Sequence, residues 1–317
     1  MSVALIVHGG AGIIAAERHE LVQSGCRAAA LIGWHVLQHN GSALDAVEAA
    51  VRALEDNPNY NAGTGSCLTL DGNIEMDAGM MEGHTLNVGA VAGVEHIKNP
   101  ILLARKVLES PHVLLAGRGA EAFAHEQGMA FCTREDLLTE RQYNNWLQAR
   151  AARGDGDKEA RYHRREIATL PAQREQRPES SEHKHGTVGA VALDGYGILA
   201  AATSTGGFMN KFPGRIGDSP LVGCGFYADE HAAISCTGYG EDFMRLLIAQ
   251  RAAAFAAAGQ SAQQAADSAI AVLSARAHGK GGLIVIDRQG NTGLARNSDH
   301  MAYAYIREDM QEPAVGI

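Results

Sequence analysis

The chain is poor in cysteine: Cys26, Cys67, Cys132, Cys224 and Cys236 are odd in number, scattered, and show no C-x-x-C spacing. This argues against both a disulfide framework and a zinc site. Basic residues are also scarce, with 27 Lys plus Arg against 36 Asp plus Glu and a net charge of -9. Such a balance repels phosphate backbones and anionic lipid, so neither a nucleic-acid nor a membrane partner is expected. No apolar run approaches membrane-spanning length. The opening MSVALIVHGGAG lacks a basic n-region and reads as a buried strand and not a signal peptide, so the cytoplasm is the expected compartment. Apolar residues, in contrast, make up 46% of 317 positions, enough for one large domain or two small ones with a sizeable core.

Val3, Leu5 and Val7 lie in a β-type run, which the glycines of HGGAG (8–12) are expected to stop. Helical spacing from Glu17 to Gln38 ends at His39-Asn40-Gly41, with Gly41 as the expected cap. Ser42-x-x-Asp45 opens a second helix whose apolar face (Ala46, Val47, Ala50, Leu54) runs until Pro58. The stretch NYNAGTGSCLTLDGNIEMDAG reads as a loop, a strand, a turn at Asp71-Gly72 or Gly72-Asn73, and a returning strand. Residues 85–94 continue the sheet. Helices are expected over Pro100–Glu109, capped by Asn99, and Gly119–Gln127, with a short strand His112–Leu115 between them.

Residues 151–186 are crowded with charge and poor in large apolar side chains, so they read as a flexible linker. His183 and His185 lie in that solvated run and are not expected to hold a metal. Directly afterwards TVGAVALD (187–194), a turn containing Gly195, and ILAAATST (198–205) form a β-hairpin pattern. A short strand near Ala232–Cys236, Ala-rich helices over Glu241–Ala258 and Ala262–Arg276, and strands near Leu283–Asp287 and Met301–Ile306 complete a mixed α and β pattern without a repeat.

The abrupt passage from linker to HGTVGAVALD is the most informative feature. If the Gly186-Thr187 bond were cut, Thr187 would hold both a nucleophilic hydroxyl and, in its new α-amine, a base with a reference pKa of roughly 7.7–8.0. Alone, a Thr opening a half-buried strand is ordinary. Its company is not: HGGAG (8–12), NAGTG (61–65), TSTGG (203–207), NKFPGRIGDSPLVGCG (210–225) and SCTGYGE (235–241).

With these motifs in this order, the chain closely resembles the plant-type asparaginase and isoaspartyl peptidase family of N-terminal threonine hydrolases. The resemblance implies Thr187 as nucleophile, Gly186-Thr187 as the self-cleavage bond, and Thr205 as hydrogen-bond partner of the nucleophile. Thr237 and Gly238 would form the oxyanion hole, and Asn61 would orient the nucleophile's surroundings. Arg215 and Asp218, in a loop punctuated by glycine and proline, would hold the substrate's α-carboxylate and α-ammonium. Gly238 and Gly240 would let backbone approach the substrate, and Tyr239 would influence leaving-group preference. His8 would shape the loop around Gly9 and Gly10 used in precursor cleavage. A structural sodium would be bound by the backbone carbonyls of Leu54, Glu55, Asn57, Tyr60, Ala62 and Thr64. No cofactor is required for the chemistry.

The family further implies an α+β fold, a four-layer αββα sandwich of the Ntn-hydrolase type. Residues 1–317 would be a single domain, matured into 1–186 and 187–317, with two such heterodimers associating. The expected activity is hydrolysis of asparagine and β-aspartyl dipeptides, small-molecule substrates. A glycosylasparaginase-like hydrolase is the nearest rival, disfavoured by Gly186 where that branch usually carries aspartate. An uncleaved, non-catalytic metabolite-binding protein is the rival from another class.

Overall fold

In the computed structural model, which describes residues 2–153 and 186–317, strand β1 (Ala4–Gly12) is buried on both faces. Leu5 and Val7 point into one apolar cluster, Ala4 and Ile6 into another. The near-continuous apolar run ALIV thus follows from a strand covered on both sides. The glycines of HGGAG do not stop it, contrary to expectation. The strand continues to Gly12 across an irregularity between His8 and Ala11, because β11 pairs with it on both sides of that bulge.

Between the first strand and the gap lie α1 (His19–Gln38), α2 (Ala43–Glu55), β2 (Met76–Glu82), β3 (Val88–Val94), α3 (Pro100–Leu108), β4 (Leu114–Ala116), α4 (Gly117–Glu126), α5 (Arg134–Leu137) and α6 (Glu140–Arg153). The second stretch holds β5 (Val188–Leu193), β6 (Leu199–Thr205), β7 (Phe226–Ala228), β8 (Ala232–Gly238), α7 (Gly240–Leu246), α8 (Ile248–Ala257), α9 (Ala262–Arg276), β9 (Gly281–Asp287), β10 (Thr292–Arg296), β11 (His300–Arg307) and β12 (Ala314–Gly316). One sheet has the order β12-β11-β1-β5-β6-β2-β3-β4, the other β10-β9-β8-β7. Helices α1, α2 and α3 cover the outer face of the large sheet, and α8 and α9 that of the small one. Between the sheets, Ile6, Val191 and Ala201 meet Phe226, Ala233, Ile284 and Ile286. The result is the expected α+β, four-layer αββα sandwich.

In the large sheet, strands from before and after residues 154–185 are interleaved: β1 lies between β11 and β5, and β6 lies against β2. Strand β5 therefore begins at Val188 in mid-sheet, with β1 and β6 on its two sides. This placement makes Thr187 a buried residue instead of a loop tip.

Several local expectations are corrected. The left-handed residue ending α1 is Asn40 (φ 59), not Gly41, whose N–H bonds to the Val36 carbonyl. Asn99 makes no capping bond. The Ile101 N–H at the start of α3 donates instead to the Glu55 carboxylate at 3.0 Å. The Asp71-Gly72 turn joins only an isolated Leu68–Ile74 bridge, because β2 pairs with β3 and β6. The helix expected over Glu241–Ala258 is broken at Leu247 (φ 51). Helix α6 extends through Arg153 into the expected linker, while residues 154–185, including His183 and His185, lie outside the described residues.

Candidate active site

Thr187 Oγ1 donates a hydrogen bond to Thr205 Oγ1 at 3.1 Å across the β5–β6 hairpin, and both residues are buried. Thr205 Oγ1 also accepts the Gly207 N–H at 2.9 Å. Asn61 braces the same turn: its Nδ2 donates to the Gly207 carbonyl at 2.5 Å, its Oδ1 accepts the Cys67 N–H at 2.7 Å, and its own carbonyl accepts the Gly206 N–H at 2.9 Å. Asn61 thus supports Thr205, which contacts Thr187.

The HGGAG segment passes directly behind the Gly186-Thr187 bond. Gly10 has φ +102, and a Cβ there would lie 2.7 Å from Gly186 Cα, so both conformation and space demand glycine. His8, fully buried, places Nε2 2.9 Å from Ser235 Oγ. Burial drives its imidazole down to about 3, with the Thr187 backbone offsetting part of that effect. His8 is therefore neutral at physiological pH, and a role in shaping the loop suits it better than acid chemistry.

A narrow cleft is lined by Thr187, Thr205, Gly207, Arg215, Gly217, Asp218, Ser219 and Gly238. Arg215 Nε and Nη2 donate to the two Glu241 oxygens at 2.9 and 2.7 Å, so its acidic partner is Glu241 and not Asp218. Burial opposes the charge on Arg215, but the Glu241 fork outweighs it and the net shift is upward. Asp218 is buried with no hydrogen bond reaching Oδ2 among the described residues. Burial raises its carboxyl to about 7 even though Arg215 pulls it down. A buried carboxylate with one oxygen left bare is costly unless positive charge stands nearby, and here Arg215 is the charge that stabilises it.

Gly240 stands against this pair, since a Cβ there would be 2.8 Å from Asp218 Oδ1 and 3.0 Å from Arg215 Nη2. Thr237 is fully buried, its Oγ1 accepting the Ala11 N–H at 3.1 Å, while its neighbour Gly238 lines the cleft. Thr187, Thr205, Arg215, Asp218 and Gly238 are thus brought to one cleft; Asn61, Thr237 and Gly240 lie behind it. Sequence reasoning missed Ser219, which adjoins Asp218 in PGRIGDSP, and Glu241, which lies inside SCTGYGE.

The carbonyls expected to bind sodium run from the last turn of α2 into the loop that follows it. Thr64 N–H donates to the Glu55 carbonyl at 2.9 Å, and a Cβ on Gly63 would come within 2.6 Å of that oxygen and 2.9 Å of the Lys98 carbonyl. The Glu55 side chain acts elsewhere, accepting from Ile101 N–H and from Ser204 Oγ at 2.6 Å, with burial raising its carboxyl to about 8. Among the described residues no cluster of His, Cys, Asp or Glu could hold a metal ion, and no helix is long and apolar enough to cross a membrane.

Two stacked sheets between helical layers, with a threonine opening a central strand at the head of a cleft, define the class of N-terminal-nucleophile hydrolases. A family model described as asparaginase matches residues 1–316. A plant-type L-asparaginase from Pyrococcus horikoshii is 46% identical over 319 residues, covering 99% of this chain and all of that protein. An isoaspartyl peptidase from Salmonella typhimurium is 45% identical, covering 95% of this chain and 94% of its own. A rat isoaspartyl peptidase/L-asparaginase is 41% identical, covering all of this chain and 90% of its own. The chain belongs to the plant-type asparaginase and isoaspartyl peptidase family, and it is an enzyme of the threonine-nucleophile amidohydrolase type.

Proposed function

We propose that the chain cuts itself at Gly186-Thr187 and then uses Thr187 to hydrolyse L-asparagine and β-aspartyl dipeptides. The observation that carries this reading is the Thr187–Thr205 hydroxyl pair in the same cleft as Arg215 and Asp218, whose Oδ2 no hydrogen bond reaches among the described residues. In the uncut chain the Thr187 nitrogen is an amide and cannot act as a base. Cleavage yields an α-amine that accepts the hydroxyl proton as Oγ1 attacks the substrate's side-chain carbonyl. The tetrahedral oxyanion is met by donors at Thr237 and Gly238. Collapse expels ammonia or an amino acid, protonated by the same amine. Water then releases aspartate from the Thr187 ester.

Arg215 takes the α-carboxylate and Asp218 the α-ammonium of the aspartyl unit. A normal α-aspartyl peptide has that carboxylate tied up in its peptide bond, and glutamine carries its reacting carbonyl one methylene too far, where near-attack geometry is lost. Sodium at residues 54–64 would supply no chemistry and would fix the segment that contains Asn61. The interleaving of strands from both segments in one sheet supports a single domain matured into 1–186 and 187–317. Association of two such heterodimers completes the proposal.

Intact-mass measurement should find two chains. The matured protein should turn over β-aspartyl-leucine and asparagine, and leave α-aspartyl-leucine and glutamine untouched. Equal turnover of the α- and β-linked dipeptides would refute the zwitterion clamp.

A further inference from the structure

The side chain of Arg215 is gripped on two sides. Its Nε–Nη2 edge is spanned by the Glu241 carboxylate in the side-on, two-bond arrangement, at 2.9 and 2.7 Å. Its flat face lies over the Phe208 ring, with Cζ 4.4 Å from the ring centre. Side-chain exposure is 14% for Arg215 and 32% for Glu241, so the pair is more sheltered than an ordinary surface ion pair. Only the Nη1–Nη2 end is left, and no hydrogen bond reaches Nη1 among the described residues. That end faces small neighbours: a Cβ on Gly217 would lie 2.8 Å from Nη1, one on Gly207 3.5 Å from Nη1, and one on Gly240 3.0 Å from Nη2. Gly207 and Gly217 both line the cleft.

A guanidinium offers a carboxylate two parallel N–H bonds along an edge or across its end. Its side-on edge is already used by Glu241, so an incoming carboxylate has the end. We propose that Glu241 is the positioning residue for substrate capture, locking Arg215 so that its Nη1–Nη2 end takes the α-carboxylate, with Phe208 holding the guanidinium plane. This inference rests on the reading of Arg215 as the carboxylate receptor. Glu241 also carries a charge that repels a carboxylate, so the orientation and charge effects have opposite signs. The fork makes two charge-assisted bonds that glutamine cannot reproduce, because its amide nitrogen would face a guanidinium donor. Loss of orientation therefore outweighs the relief of repulsion.

The test is Glu241→Gln in the matured protein, with intact mass checked first. Two product-like inhibitors are compared: L-aspartate, and β-alanine, which is aspartate without its α-carboxylate. The expected result is a rise of about tenfold in KM for asparagine and in Ki for L-aspartate, kcat held within about twofold, and an unchanged Ki for β-alanine. An unchanged or lower KM overturns the proposal, because charge and not orientation then governs. Equal weakening of β-alanine also overturns it, since a general structural defect would strike both inhibitors. If Glu241→Gln fails to mature, Phe208→Leu carries the test, with the same selective weakening of L-aspartate expected and the same results overturning it. A wild-type protein that does not hydrolyse asparagine defeats the functional reading itself, before any variant is compared.

Discussion

Replacing Asp218 by Asn should make the protein more stable at high pH and less active, with the stability gain changing sign as pH falls. Burial raises the Asp218 carboxyl from its ordinary 3.8 to about 7 in the folded protein. The folded state thus binds a proton more tightly than the unfolded state, so this group's stabilising contribution is greatest below about 4 and is lost as pH rises through 7. The gap between 3.8 and about 7, at about 1.4 kcal/mol per pH unit, is about 4 kcal/mol of destabilisation above neutrality. Asparagine avoids this but brings a buried amide into a place where Oδ2 has no partner, at a cost of about 1–3 kcal/mol. Urea unfolding should therefore show Asp218→Asn more stable than wild type by about 1–3 kcal/mol at pH 8, and less stable by a similar amount near pH 4. The kcat/KM of the wild type for asparagine should fall about tenfold per pH unit below 7, because the free enzyme must ionise Asp218 to receive an ammonium. A stability difference that stays constant from pH 4 to pH 8 would refute the reasoning.

Thr187→Ala should remain one chain of 317 residues by mass spectrometry, and splitting at the same bond in a protease-free preparation would exclude the intramolecular route. Arg215→Ala should still mature but lose most hydrolysis of β-aspartyl dipeptides; unchanged kinetics would remove Arg215 from the site. Glu55 is held neutral by burial, its carboxyl raised from 4.5 to about 8, so its contribution to stability falls as pH climbs through that window. Glu55→Gln keeps an acceptor for Ile101 N–H and should match wild type at pH 5 and exceed it at pH 9, as followed by thermal unfolding.

The β5–β6 hairpin was legible because its signals are local. Apolar β-formers flank a turn in which Gly197 takes positive φ and Asp194 accepts the Tyr196 and Ile198 N–H groups. The Ser42 cap and the periodic face of α2 were legible for the same reason. HGGAG was misread because glycine's local cost argues for an end, while pairing with β11 keeps the strand going. The break at Leu247 has no local mark in an Ala-rich stretch. It accompanies packing in which Phe243 and Leu246 of α7 and Ile248 and Ala252 of α8 share one core.

The sequence by itself determined the chemistry on offer: a threonine at a strand edge after a charged stretch, glycine-rich turns, and an Arg and an Asp three residues apart in a loop that cannot become a helix. It also determined the family, because those motifs occur together and in order. Only the tertiary structure decided which groups meet. Glu55 reaches Ser204 across 149 positions, Asn61 reaches Gly207 across 146, and Arg215 bonds Glu241 instead of its neighbour Asp218. The reason is physical: side-chain pairing depends on sheet order and on where burial removes water, and neither is written in the spacing of residues along a chain.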